Sequence, residues 1–231
     1  GGTVVSVAGN VSAEEAERMV RRHFEDRFGF GAESPRAPLA KAPMKGGFAG
    51  GKKEIEQAHI AFAFPGAAYN TEASFAARLL GAVFGMEMSS RLFQSVREKL
   101  GLCYSIVGYP TAYENNGAFI IYTSTNPASV EQAVGAIKGE IKKLLADGIT
   151  PDELKKGKEQ IVTGMVLGQE STSAVMRGMG RHAVVTGDLY DIAWRIRAID
   201  PLYRVWYSYR KRRYEVHHLG QKGDTYALTV P

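Results

Sequence analysis

The chain has 231 residues, 45% of them hydrophobic and 23% charged, with a net charge of +5 at neutral pH. Those proportions belong to an ordinary globular protein of one or two domains. No run of about 18 apolar residues occurs, and no basic stretch followed by an apolar core opens the sequence, so neither a membrane span nor a signal peptide is expected. The single cysteine, Cys103, excludes an internal disulfide and fits a reducing, cytoplasmic setting. The positive charge is concentrated at the end. Residues 201–231 hold six Lys or Arg against two Asp or Glu, and the preceding 200 residues hold 23 against 22. A nearly neutral body argues against a nucleic-acid-binding one.

Residues 1–28 read as one strand and one helix. Thr3 to Ala8 is a β-branched apolar run, Gly9-Asn10 a turn, and Ser12 with Glu15 a capping box. Ala16, Met19, Val20, His23 and Phe24 follow at helical spacing. A strand and helix with so little to pack against read as the closing elements of a domain truncated upstream. Residues 29–53 are rich in Gly, Pro and Ala and read as a linker. Gly46, Gly51 and Lys52 match the spacing of a phosphate-binding loop. However, Lys53 stands where Ser or Thr is needed, and no strand precedes, so a connector is the better reading.

Residues 54–200 form the main unit. In AHIAFAFPG, Ile60, Phe62 and Phe64 share one face of a strand. Thr71 to Phe84 is a helix with Phe75, Leu79, Leu80 and Val83 on its apolar side. Ser89 or Ser90 is placed to cap the next helix, striped by Leu92, Phe93, Val96 and Leu100. Gly101 follows where a left-handed residue is wanted. Tyr104 to Val107 and Gly117 to Thr123 read as strands of a hairpin turning at Glu114-Asn115-Asn116-Gly117. The stripe from Val130 to Leu145 gives a long amphipathic helix ending at Asp147-Gly148. Thr150-Pro151-Asp152-Glu153 starts another, and helices over Ala174–Val185 and Leu189–Ile199 complete the unit. The fold class is α+β, an antiparallel-rich sheet with helices packed on one face.

The order strand, helix, SSRLFQSVREKLGLCYS, hairpin, helix, TPDELKKGKEQ, helix resembles the C-terminal half of the M16 zinc peptidases, the pitrilysin and insulinase family. The likeness covers most of Glu54 to Asp200, and residues 1–28 resemble the end of that family's N-terminal half. The resemblance implies a two-halved clamshell around a peptide or protein substrate. The N-terminal half carries zinc on an inverted His-x-x-Glu-His motif with a distant glutamate. The C-terminal half supplies an arginine and a tyrosine, which fall here on Arg97 and Tyr104. Arginine grips carbonyls or carboxylates with its planar donors, and a tyrosine hydroxyl is a neutral donor toward an oxygen gaining negative charge. The plainer alternative for the pair is a cation favoured by a helix C-terminus and a tyrosine at a strand start.

No His-x-x-Glu-His occurs. His23, His59, His182, His217 and His218 lack a Glu-His partner at helical spacing, so no metal site is expected in this chain. Zinc is expected in the missing half or a partner subunit, in a homo- or heterodimer, and the chain alone is not expected to cut peptides. His59 and His182 read as structural, and Cys103 as packing rather than a nucleophile. After Asp200 the family pattern breaks: Tyr203, Trp206, Tyr207, Tyr209 and Tyr214 crowd around Arg204 and Arg210 to Arg213. Residues 201–231 are read as an atypical basic and aromatic tail, with a frameshifted end and a divergent helix as alternatives to base stacking and phosphate binding. Against the reading as a substrate-binding half stand two others: a non-catalytic structural or processing subunit of the same fold, and nucleic-acid binding by the tail.

Overall fold

The computed structural model describes residues 3–25 and 45–199, with the backbone of two strands at 215–218 and 226–229. The chain divides into two compact units, residues 39–163 and residues 1–38 with 164–231.

In the unit of residues 39–163, β2 (Ala58–Gly66), β3 (Ser105–Ala112) and β4 (Gly117–Thr125) form an antiparallel sheet in the order β2-β4-β3. Register pairs Phe62 with Ile121 and Gly108 with Ile121, so one face collects Phe62, Ile106, Phe119 and Ile121. Helix α2 (Glu72–Gly81) continues into a wider turn at Ala82–Met86. A second wide-turn helix, Phe93–Lys99, follows, and then α3 (Val130–Asp147). Phe84, Leu92, Val96 and Ile137 from these helices close over the sheet and make a single core with it. The helices thus occupy one face, as the periodicity requires. The hairpin is longer than its sequence suggests. Gly108-Tyr109-Pro110 looks like a break, yet β3 runs on to Ala112, and Pro110 is tolerated because β3 is an edge strand.

Several helix ends follow the residues that specify them. Thr71 caps α2 by accepting from Ser74 N at 3.2 Å. Thr150 and Glu153 form a reciprocal capping box at the start of α4 (Pro151–Leu167): Glu153 N donates to Thr150 Oγ1 at 3.3 Å, and Thr150 N donates to Glu153 Oε2 at 2.9 Å. The Ser89 and Ser90 expectation differs. Neither hydroxyl caps the wide-turn helix; Ser90 is buried, and its Oγ has no hydrogen bond among the described residues. Leu100, expected on the apolar stripe, is exposed, because the wider turn rotates the last residues away from the core.

In the other unit, β1 is only Ser6–Val7, shorter than the apolar run that predicts it. It pairs in parallel with β6 (Tyr226–Thr229), which pairs antiparallel with β5 (Glu215–His218). Helices α1 (Ala13–Phe24), α5 (Thr172–Thr186) and α6 (Ile192–Ile199) belong to this unit. Ser12 caps α1, and Ser6 Oγ donates to Met176 O at 2.8 Å, tying β1 to α5. The basic and aromatic cluster of residues 203–214 and the side chains of His217 and His218 lie outside the described residues, as does most of the linker at 29–53.

Candidate functional site

Arg97 and Tyr104 stand at the two ends of a tight hook. The wide-turn helix carries i→i+5 bonding to its end, where Leu100 N donates to Ser95 O at 3.2 Å. Gly101 then adopts φ +61°, and its N–H donates to Arg97 O at 3.1 Å, while Leu102 N donates to Val96 O at 3.1 Å. Glycine is needed here because a side chain is strained in the left-handed region. Leu102 and Cys103 pack against the core, and Thr125 Oγ1 donates to Leu102 O at 2.5 Å. Tyr104 N donates to Ser124 O at 3.1 Å, which launches β3. The hook is therefore bonded at its helix end, its middle and its strand end.

Neither side chain is in the interior. Tyr104 is 76% exposed. The Arg97 guanidinium lies 4.6 Å from the centre of the Phe93 ring, and its Nε is 4.0 Å from Glu98 Oε1, a loose pair between exposed groups. Among the described residues no hydrogen bond or ion pair joins Arg97 to Tyr104. Between them in sequence, Cys103 is partly buried. Burial pushes its thiol up, opposed by a hydrogen bond with Thr123 and by the Arg97 charge. A thiol held protonated is packing, not a nucleophile.

A different arginine of the same segment is fully engaged. Arg91 donates from Nε to Glu153 Oε1 at 2.6 Å, from Nη2 to Glu153 Oε2 at 2.7 Å, and from Nη2 to Gly148 O at 2.7 Å. This fork ties the entry of the wide-turn helix to the α3–α4 corner. Its sequence signal was only half legible: Glu153 announces a capping box, and nothing marks Arg91 as its second partner. On the sheet face away from the core, His59 Nδ1 and Tyr122 Oη are 2.5 Å apart with their rings stacked, a pair that the sequence does not flag.

No group of three or more His, Cys, Asp or Glu among the described residues could hold a metal ion. His182 is buried beside Arg195. The Gly46–Lys52 stretch is extended and exposed and leads toward strand β2, so it has no helix N-terminus with which to hold a phosphate. No described helix is long and apolar enough to cross a membrane.

An antiparallel sheet backed by helices makes this an α+β domain, and its hook presents an arginine and a tyrosine. Residues 2–161 match the family described as Peptidase M16 inactive domain. The chain belongs to the M16 peptidase family. It is 34% identical over 207 residues to an uncharacterized zinc protease of Streptomyces coelicolor, covering 86% of this chain and 45% of that protein. It is 35% identical over 187 residues to the uncharacterized zinc protease YmxG of Bacillus subtilis, covering 80% and 44%. The chain thus spans about half the length of these relatives. Among solved structures, a protease from Helicobacter pylori shares the fold with TM-score 0.66 at 19% identity, over 84% of this chain and 50% of that one. The M16 inactive domain of Pseudomonas fluorescens gives TM-score 0.57 at 22% identity, over 64% and 35%.

Proposed function

We propose that this chain is the C-terminal, substrate-gripping half of an M16 zinc endopeptidase. Residues 54–200 are the substrate-binding domain, and residues 1–28 the closing elements of the half before it. The zinc is carried by that other half or by a partner subunit, since the residues described here do not fit a metal. This chain's part is to bind and orient the peptide. The observation that carries the reading is the exposed placement of Arg97 and Tyr104 on one bonded hook.

A tyrosine ring that is 76% exposed gains little from burial, so its place there is best explained by what its hydroxyl meets outside. The phenol is a neutral donor suited to a substrate carbonyl oxygen. Arg97, stacked on Phe93 and only loosely paired, keeps donors available for a second carbonyl or a carboxylate. Holding both groups on a bonded segment removes the entropy cost of arranging them when substrate arrives. The relatives named as zinc proteases support the reaction class.

The test is peptide cleavage by the chain combined with a zinc-bearing M16 half. Arg97→Ala and Tyr104→Phe should each lower kcat/KM by about 10²-fold or more, the cost of losing one transition-state donor, with unchanged circular dichroism. Full turnover in both variants refutes the assignment. No gain in cleavage on adding this chain favours a structural subunit instead.

A further inference from the structure

We propose that His59, oriented by Tyr122, is a further substrate-binding residue that presents an N–H donor to the main-chain carbonyls of an extended polypeptide. The inference rests on the reading of this chain as a substrate-gripping half. His59 lies on β2 directly opposite Ser124 of β4, and Ser124 lies directly opposite Ser105 of β3. The three residues form a row across the whole sheet on the face away from Phe62, Ile106 and Ile121. Ser105 Oγ and Ser124 Oγ are hydrogen-bonded at 2.9 Å. The row ends at Ser105, the residue after Tyr104, so it runs from the hook across the sheet to His59.

The His59 ring is exposed yet fixed. Its Nδ1 is 2.5 Å from Tyr122 Oη, and the two rings stack with centroids 5.9 Å apart. A phenol O–H is a stronger donor than an imidazole N–H, and imidazole nitrogen a stronger acceptor than phenol oxygen. Tyr122 therefore donates into Nδ1, which leaves the proton on Nε2 and makes that nitrogen a donor. An exposed ring tethered by a hydrogen bond and by stacking has less freedom to lose on binding. Beside it on β2, Ala61 and Ala63 face the same way and are exposed, leaving low ground on which a chain can lie. The row contains no Lys, Arg, Asp or Glu. Ser124 is buried and bonded to Ser105, so the exposed His59 is the member of the row that offers a donor, and a neutral N–H matches the neutral amides of a peptide rather than a metal ion.

The test uses the full chain and a dye-labelled, unstructured peptide rich in alanine and serine, with affinity read by fluorescence anisotropy at neutral pH. His59→Ala should weaken binding roughly three- to tenfold, the worth of one hydrogen bond. His59→Gln, which keeps an N–H near the Nε2 position, should recover much of that loss. Tyr122→Phe should weaken binding in the native chain and have no further effect in the His59→Ala background, because Tyr122 acts through His59. Unchanged affinity for His59→Ala, with Arg97→Ala and Tyr104→Phe both weakening binding, overturns the inference and leaves the proposed function standing. Equal loss for His59→Gln and His59→Ala overturns it as well. Failure of the unsubstituted chain to bind the peptide overturns both.

Discussion

Glu153→Gln tests the clasp between Arg91 and the α3–α4 corner. The Arg91 hydrogen bonds, aided by those from Thr150, hold the Glu153 carboxyl down at about 2 from an ordinary 4.5, against a burial effect in the other direction. Taken whole, a drop of about 2.5 units would be worth about 3.4 kcal/mol at 1.36 kcal/mol per unit. Glu153 is 29% exposed and Arg91 16%, so solvent screening reduces this, and about 1–2 kcal/mol is the working figure. Glutamine is nearly isosteric and its one oxygen still accepts from Thr150 N, so the change keeps the cap while removing the charge and the acceptor for Arg91 Nε. The sign follows from the depressed native pKa. The stabilisation is complete above about pH 4.5 and is lost as pH falls toward about 2, because the unfolded carboxylate takes up its proton first. Urea unfolding at neutral pH should show the variant less stable by about 1–2 kcal/mol. The difference from wild type should shrink steadily as the buffer is taken from about pH 5 down toward 3. Equal midpoints at neutral pH, or a gap that stays constant on acidification, would refute the reasoning.

Other substitutions probe packing and titration. A Cβ on Gly85 would stand 2.4 Å from Gly108 N and 2.5 Å from Gly108 Cα, backbone that cannot swing aside. Gly85→Ala should therefore cost about 3 kcal/mol or prevent folding, as chemical denaturation will show. At Gly101 no neighbour stands within 4 Å of an added Cβ, so only the φ of +61° resists a side chain. Gly101→Ala should cost about 1–2 kcal/mol and loosen the hook, read as weaker peptide binding out of proportion to the stability change. His182 is pushed below its ordinary 6.5 by burial and then by the Arg195 charge, opposed by Asp188 and the Leu189 carbonyl, with Tyr190 edge-on to its ring. Its contribution to stability is complete above about pH 6.5 and is lost as pH falls below that, because the unfolded imidazole protonates first. Urea midpoints for His182→Gln should fall less than wild type on going from about pH 7 to about pH 5. A parallel decline would remove His182 from the account.

Much of the fold was legible because its signals are local. Apolar residues at spacings of three and four mark α2, α3 and α4, and Thr150-Pro151-Asp152-Glu153 specifies a helix start through atoms only three residues apart. What escaped depends on partners distant in sequence. The length of β3 was hidden because Gly108 and Pro110 read as breakers until β4 supplies the register and leaves the Pro110 side an edge. The exposure of Leu100 depends on a wide-turn helix, and nothing in FQSVREK announces i→i+5 bonding. Within the site, the seven-residue spacing of Arg97 and Tyr104 was visible through a family likeness. The His59–Tyr122 pair was not, since 63 positions separate its members and only the β2–β4 register joins them.

The two arginines of SSRLFQSVREKLG look interchangeable in sequence, and their surroundings separate them. Arg91 makes three short hydrogen bonds to Glu153 and Gly148, so its guanidinium is committed to holding two elements of the fold together. Among the described residues, Arg97, six residues later, meets an aromatic face and a 4.0 Å acidic neighbour, both on its own helix. Among the described residues no hydrogen bond of the fold takes up the Arg97 guanidinium edge, which suits it to the ligand-gripping role proposed above. The same contrast divides the tyrosines: Tyr122 directs its hydroxyl to His59, while Tyr104 projects outward from a backbone bonded to Ser124. Each exposed group sits beside a bonded one that fixes the local frame. Replacing Arg91 should therefore lower stability before it changes peptide affinity, and replacing Arg97 should do the reverse. Measuring denaturant midpoints and peptide binding on both variants tests that division, and a shared profile for the two would break it.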